Sequence, residues 1–257
     1  MRHLFCINAG RSGSNYLAEI LGTAQGVAAF HEAEPAMQGT PLHRVNTAPL
    51  SSSYAERRVK LDGIARLLAG RPWATMYAET NHMFIKTFFD VVLHELHEVE
   101  VIHLRRDPAR VLKSFVEMGY FSSLNQVWPD WMSSPNAVTA ACRAPAEDQA
   151  LDQFDRCIAY LQDIDARAAR FRRDYPWVVV HDVRLEDIVA PEGVLALFER
   201  LRITSTVRTA EVAGQVINDR IRTKERISNP TDLEQCRRRL EEYAARSALR
   251  QGHPSNV

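Results

Sequence analysis

Residues 4–17 begin with a short apolar run, continue through a small polar loop and end in a segment with apolar residues at helical spacing. This pattern predicts a strand that turns directly into a helix. The first N–H groups of such a helix have no intrahelical partner, and the helix dipole adds partial positive charge, so an anion is the natural ligand there. Gly10 and Gly13 let the backbone approach that ligand closely. The loop also carries side-chain donors, which are those of Arg11, Ser12, Ser14 and Asn15.

The guanidinium of Arg11 suits the oxygens of phosphate or sulfate, so the loop is predicted to bind one of these groups. Two common nucleotide-binding loops are excluded. The ATP/GTP loop G-x-x-x-x-G-K-[ST] requires a Lys that does not follow Gly13, and the dinucleotide pattern G-x-G-x-x-G is absent. A plain strand–helix connection is the alternative interpretation of this segment.

A second strand–turn–helix is predicted further along the chain. Residues 99–104 have the composition of a strand, and Arg106 follows directly after it. Asp107 suits the N-cap of the next helix, and Pro108 suits its first turn. Ser114 then places a hydroxyl two turns into that helix. The segment therefore combines cationic groups at the end of a strand with a hydroxyl on the following helix.

Together, the two segments resemble the cofactor motifs of sulfotransferases that use 3′-phosphoadenosine-5′-phosphosulfate (PAPS). In that family the first loop holds the 5′-phosphosulfate, and an Arg and a Ser of the second motif hold the 3′-phosphate. Arg106 and Ser114 match the second motif, with eight residues from one to the other. Arg11 falls where the family has a Lys or Arg. The resemblance covers residues 4–34 and 99–118 and hardly extends to the acceptor side.

The resemblance also implies which residues bind the donor. The loop and the second motif supply most of them, which are Arg11, Ser12, Gly13, Ser14, Asn15, Arg106 and Ser114. Family members close the 3′-phosphate pocket with a basic loop late in the chain. The basic stretch 218–226 matches that description, with Arg222 or Lys224 as the candidate. A solvated basic surface is the alternative interpretation of this stretch.

Three residues are candidates for the base that takes the acceptor's proton. The predicted strand 27–30 leads to Glu32 and Glu34, and a Glu at a similar distance from the loop Arg is the base in tyrosylprotein and trehalose sulfotransferases. Glu32 lies 21 residues after Arg11. Pro35 restricts the backbone conformation of the residue before it, which is Glu34.

His82 is the rival base. It follows the predicted strand 73–80 and lies 24 residues before Arg106, similar to the catalytic His of cytosolic sulfotransferases. A histidine that only packs or caps is the alternative.

Strands and helices alternate along the chain. Helices are predicted at 14–22, 56–69, 85–97, 151–171, 195–201 and 231–249, and strands at 27–30, 73–80, 99–104 and 177–183. This order predicts one α/β domain over residues 1–257, with a central parallel sheet flanked by helices in three layers, similar to P-loop proteins. Residues 39–55 are predicted to form a loop over the pocket. Trp128 and Trp131 lie in an irregular region, where they either line an acceptor pocket or form a small separate core.

Composition narrows the partners. The chain has 257 residues, 46% hydrophobic content, and 32 basic against 32 acidic residues. Such a balance indicates neither nucleic acid nor a membrane surface as a partner. No segment resembles a membrane span or a signal peptide. Four cysteines show no metal-binding spacing, so neither disulfides nor a metal ion is expected, and the expected compartment is the cytoplasm.

The predicted function is transfer of a sulfuryl group from PAPS to a hydroxyl or amine of a small-molecule, carbohydrate or lipid acceptor. Positioning and electrostatic stabilisation dominate such a reaction. Arg11 would stabilise the oxygens of the moving group, and Glu32 or His82 would take the proton. Two alternatives remain: an atypical P-loop kinase, for which Asp107 is the obvious Mg²⁺ ligand, and a nucleotide-binding protein without catalytic activity.

Overall fold

The computed structural model describes residues 1–142, 151–215 and 230–251. Five parallel strands form one sheet in the order β2-β3-β1-β4-β5. They are β1 (Arg2–Ile7), β2 (Val27–Phe30), β3 (Met76–Glu79), β4 (Val99–Arg105) and β5 (Val179–Arg184). The predicted α/β class with a parallel central sheet is confirmed. The sheet's central strand, β1, carries the polar loop at its carboxyl end.

Ten helices accompany the sheet in the described residues. They are α1 (Ser14–Leu21), α2 (Thr40–Thr47), α3 (Tyr54–Arg57), α4 (Val59–Ala69), α5 (Phe89–Glu95), α6 (Pro108–Glu117), α7 (Gln153–Asp174), α8 (Pro191–Leu201), α9 (Val207–Val212) and α10 (Leu233–Gln251). One turn of π-helix, Phe84–Phe88, precedes α5. None of these helices combines the length and the apolar composition that crossing a bilayer requires.

Both faces of the sheet are covered, which explains why its inner strands are nearly continuous apolar runs. Successive side chains of β1 point to opposite faces. Leu4 and Cys6 pack with α1 and α8, whereas Phe5 and Ile7 pack with the larger set of helices that includes α5, α6 and α7. The result is the three-layer arrangement that the alternating elements predict.

The strand register brings the candidate residues to one edge. Phe30 of β2 and Phe5 of β1 both lie opposite Glu79 of β3, and Ile7 lies opposite His103 of β4. The four strands therefore end at nearly the same level. The segments that follow them, which carry all the candidate site residues before Ser114, lie side by side at this edge.

The predicted loop over residues 39–55 is wrong. These residues form α2, a 3₁₀ turn at Leu50–Ser53 and the start of α3. Only Leu42 and Val45 of α2 are buried, so the apolar signal is too short for a helical period to be recognised. Arg57 of α3 is fully buried and donates two hydrogen bonds to Asp90, which gives the core a charged anchor where a sequence pattern would expect a hydrophobic residue.

Candidate functional site

The loop between β1 and α1 has an unusual backbone. Gly10, Arg11 and Gly13 have φ angles of 79°, 55° and 89°. A Cβ on Gly13 would lie 2.5 Å from a methyl carbon of Leu185, so only glycine fits there. Left-handed residues in close succession form concave turns that bind anions in many phosphate sites. The loop between β1 and α1 therefore has the backbone geometry of an anion-binding turn.

Internal hydrogen bonds hold this loop in shape. The Gly10 N–H donates to Oδ1 of Asn8 at 2.8 Å, and the Ser12 hydroxyl donates to the Gly10 carbonyl at 3.1 Å. Ser14 and Asn15 are the first two residues of α1, and no side chain caps the helix there. The N-terminus of α1 is thus preformed, and its first N–H groups are available for an anion.

The two sequence motifs meet in space. The Nε of Arg11 donates to Oγ of Ser114 at 2.8 Å, although 103 residues separate them, and Nη1 of Arg106 donates to the carbonyl of Arg11 at 3.1 Å. Asp107 caps α6 as expected, since its Oδ1 accepts the Ala109 N–H at 2.9 Å. Two arginines and one hydroxyl therefore converge beside the α1 N-terminus, which matches the donor set of a doubly anionic ligand.

A cleft of about 230 Å³ opens beside this convergence, in the crevice between the ends of β1 and β4. Ser12 and Arg106 line one side of it, and Val111 and Ile164 form an apolar wall. The crevice lies where the strand order reverses, which is the usual ligand site of an open parallel sheet. Burial lowers the pKa of Arg106, and the charge of Arg110 acts in the same direction. An anion placed there would relieve both effects.

The two rival bases lie in one site. Nδ1 of His82 is 3.4 Å from Oε1 of Glu32, and the His82 ring packs against Gly10, where a Cβ would lie 3.2 Å from Nδ1. Trp131 covers the ring edge-on, with centroids 5.7 Å apart. Glu34 does not join Glu32 and His82 in this site. Its side chain is exposed, and its carboxylate accepts the N–H of Ala36 at 3.1 Å.

His82 has the electrostatics of a neutral imidazole. Burial lowers its pKa well below the ordinary value, and the positive charges of Lys86 and His31 lower it further. Its Nε2 is buried and has no hydrogen-bond partner within the described residues. A buried nitrogen without a partner is costly, which makes His82 a candidate functional residue.

Sequence reasoning missed Lys86. Its ammonium is fully buried, and it donates to the Trp131 carbonyl at 2.7 Å and to the Tyr160 hydroxyl at 3.1 Å. Burial lowers its pKa well below the ordinary value, and the charge of Arg167 acts in the same direction, whereas the charges of Glu32 and Asp163 oppose this shift. The only signal in the sequence is a single charge within the apolar run Phe84–Phe89, which resembles the exposed position of an amphipathic helix.

A buried ion pair that was also missed supports the Glu32 segment. Nζ of Lys60 contacts Oε1 of Glu79 at 2.7 Å and donates to the carbonyls of Ala33 and Pro35. The Tyr77 hydroxyl donates to the other Glu79 oxygen at 2.6 Å. This network holds the chain that directly follows Glu32 against β3.

The remaining candidates are Arg222 and Lys224, which lie outside the described residues. Trp128 and Trp131 are partly buried and pack against the main core, so they do not form a separate one. Within the described ranges, no three His, Cys, Asp or Glu side chains are grouped as metal ligands.

Comparison with known proteins establishes the fold. No protein-family model and no curated protein matches the sequence. Among solved structures, the chain is similar to a sulfotransferase domain from the curacin biosynthetic pathway, with a TM-score of 0.51, 13% identity, and coverage of 96% of this chain and 98% of that one. It is also similar to a sulfotransferase domain of the Synechococcus PCC 7002 olefin synthase, with a TM-score of 0.50, 13% identity, and coverage of 95% and 94%. The chain therefore has a sulfotransferase-like fold.

Proposed function

We propose that this protein is a sulfotransferase that moves a sulfuryl group from PAPS to a hydroxyl or amine of a small-molecule, carbohydrate or lipid acceptor. One observation carries the proposal: the two motifs that resemble the family's donor-binding motifs are hydrogen-bonded to each other, through Arg11, Ser114 and Arg106. The cytoplasm remains the proposed compartment, and all four cysteines are free thiols.

The residues present fit the donor. The left-handed loop and the uncapped start of α1 would hold the 5′-phosphosulfate, and Arg106 and Ser114 would hold the 3′-phosphate. When bound, PAPS supplies the sulfuryl group and a phosphate leaving group. Arg11 would stabilise the negative charge that develops between the sulfur and the leaving oxygen.

We assign the proton transfer to the His82–Glu32 pair. The Nε2 of His82 is free to accept the acceptor's proton, because Nδ1 faces the Glu32 carboxylate. As the acceptor oxygen bonds to sulfur and the sulfur–oxygen bond to the phosphate breaks, the proton moves to Nε2. The Glu32 carboxylate then stabilises the imidazolium. The two residues thus act together and not as rivals.

The kinase alternative lacks support at the residue that would bind Mg²⁺. A kinase would need an acidic side chain for Mg²⁺, and Asp107, the candidate from the sequence, uses one carboxylate oxygen to cap α6. A nucleotide-binding protein without catalysis would not need a neutral His82 beside the loop, with its Nδ1 facing Glu32 and its Nε2 without a partner among the described residues. Dependence of ATP binding on Mg²⁺ would favour the kinase.

The test is calorimetric titration with 3′,5′-diphosphoadenosine and with 5′-AMP. We expect the diphosphate to bind about tenfold to a hundredfold more tightly, since charge-assisted hydrogen bonds contribute about 1.5–3 kcal/mol. Arg106→Gln should remove this preference, and Arg110→Gln, at an exposed position on the first turn of α6, should keep it. Equal affinity of the wild type for both nucleotides would contradict the assignment.

A further inference from the structure

Lys86 lies on the π-helical turn Phe84–Phe88 with none of its side chain exposed. No described carboxylate lies within salt-bridge distance of its ammonium. Its partners are the Trp131 carbonyl at 2.7 Å and the Tyr160 hydroxyl at 3.1 Å, and its Nζ lies 5.3 Å from the centre of the Tyr160 ring. Turns of π-helix are frequent at functional sites.

Burying an ammonium in the core without an ion-pair partner is energetically unfavourable. Its desolvation costs several kcal/mol, and a methionine of similar length would fill the same space without that cost. Lys113 shows the ordinary arrangement of a lysine in this protein, since it is partly exposed and pairs with Glu117. The position of Lys86 therefore calls for a role beyond packing.

The two hydrogen bonds of Lys86 connect the two sides of the site. Trp131, whose carbonyl accepts one of them, covers the His82 ring. Tyr160, which accepts the other, donates its own hydroxyl to the carbonyl of Ala9 at 3.1 Å. Ala9 directly precedes Gly10, where the left-handed loop begins. One ammonium thus joins the cover of His82 to the start of the donor loop.

We propose that Lys86 is a positioning residue that fixes Trp131 on one side of His82 and, through Tyr160, the donor loop on the other. The proposal deepens the sulfotransferase assignment and rests on it. The spacing between the donor loop and the base decides whether an acceptor oxygen reaches the sulfur in line, and a shift of about 1 Å can cost about a hundredfold in rate.

The charge of Lys86 has a second consequence for His82. Among the described residues, three charged or titratable groups face this ring: Glu32 and His31 from the segment after β2, and Lys86 from the turn after β3. Lys86 favours the neutral imidazole, which is the form that accepts a proton. Loss of Lys86 should therefore raise the pKa of His82, whereas a role in packing alone would leave the titration of His82 unchanged.

The experiment is a double-mutant cycle with Lys86→Met, Tyr160→Phe and the double variant. Calorimetry measures the affinity for 3′,5′-diphosphoadenosine, and NMR follows the His82 ring through a pH titration. Lys113→Met is the matched control, because it removes a lysine on α6 that donates to the carbonyl of Thr231 at 2.5 Å. Tyr160→Phe keeps the ring and removes only the hydroxyl, so it tests the connection to the donor loop even if Lys86→Met fails to fold.

We expect each single variant to weaken nucleotide binding about fivefold, the scale of one hydrogen bond, and the double variant to lose little more than either. The pKa of His82 should rise in Lys86→Met and stay in place in Tyr160→Phe and in the control.

Unchanged affinity and an unchanged His82 titration in Lys86→Met, with only a lower melting temperature, would overturn the proposal. Additive losses in the double variant would overturn it as well. Failure of the wild type to bind 3′,5′-diphosphoadenosine would refute the sulfotransferase assignment instead. The His82 titration would still test the link from Lys86 to His82 in that case.

Discussion

The two sides of the site are built in different ways. On the proposed donor side, Arg11, Arg106 and Ser114 come from two continuous strand–loop–helix motifs, and each of them is only partly buried. On the proposed acceptor side, Glu32 and His82 come from segments that follow different strands, and the fully buried Lys86 and the partly buried Trp131 lie behind them. The donor side is a local construction, and the acceptor side is a product of packing.

This difference separates binding from proton transfer. A phosphate or sulfate group is recognised by N–H groups and guanidinium groups whose protonation hardly depends on burial. A base must have a shifted pKa and a fixed orientation, and both require neighbours from elsewhere in the chain. Variants on the two sides should therefore affect different measurements.

The largest effect is expected at His82. His82→Asn should reduce single-turnover transfer from labelled PAPS about 10²–10⁴-fold, because it removes the group that takes the proton. Binding of 3′,5′-diphosphoadenosine should stay near the wild-type value. Glu32→Gln should cost less, since it leaves the imidazole in place and removes only the carboxylate that stabilises its charged form.

His97→Asn is the control for this pair, because His97 is exposed and lies at the opposite end of the sheet, before β4. A larger loss in Glu32→Gln than in His82→Asn would make Glu32 the base. Loss of nucleotide affinity in His82→Asn would contradict the separation of the two sides.

Arg11→Ala should show the next largest effect and tests the donor side. Transfer should fall about a hundredfold, the usual scale for losing one transition-state donor. Nucleotide affinity should fall less, because the charge that Arg11 meets develops during transfer. The exposed Arg66 on α4 provides the control variant Arg66→Ala. Equal losses in transfer and in affinity would make Arg11 a ground-state anchor only.

The smallest effect is expected in the pH dependence of transfer, which tests the protonation state of His82. The pKa of His82 lies well below the ordinary 6.5, so His82 stays neutral at pH 7 and charges only in more acidic solution. Transfer should therefore be constant around neutral pH. It should decline on the acid side, as the pH falls through the lowered pKa.

The free energy of unfolding should also decrease towards acidic pH. The unfolded chain binds the His82 proton more readily than the folded chain does. The free energy of unfolding is therefore unaffected by protonation of His82 above pH 6.5 and decreases as the pH falls from there towards the lowered pKa. His82→Asn should flatten the dependence of the unfolding free energy on pH in that range. His3 also has a lowered pKa, mainly because it is partly buried, but it is present in both proteins and cancels in the comparison. Equal slopes would contradict a neutral, buried His82.

Much of the fold was predictable because its signals are local. The strand at 27–30 agrees residue for residue with β2, and the helix predicted at 14–22 is α1 within one residue. The region 39–55 was not predictable, because α2 is only eight residues long and buries two hydrophobic side chains. Tertiary contacts stabilise such short helices more than their own sequence does.

The candidate site likewise has one part with local sequence signals and another part that depends on tertiary contacts. The spacing of Arg106 and Ser114 and the glycines of the loop predicted a donor site from the sequence, and the structure brings these two motifs together. The contact between Glu32 and His82 was not indicated, and they were treated as competitors for one role. Lys86 carried no sign of burial in its sequence, since a lysine at this spacing on a helix usually faces solvent.

By itself, the sequence determined the two strand–loop–helix units, because glycines, an N-cap and runs of apolar residues act over a few neighbouring positions. Only the tertiary structure decided that Arg11 meets Ser114, that Glu32 faces His82, and that Lys86 is buried between Trp131 and Tyr160. The physical reason is that burial, and the pKa shifts that follow from it, depend on atoms brought from distant parts of the chain. The glycine-rich loop proposed to bind the anion is therefore encoded locally, and the environment of the proposed base arises only when the layers pack together.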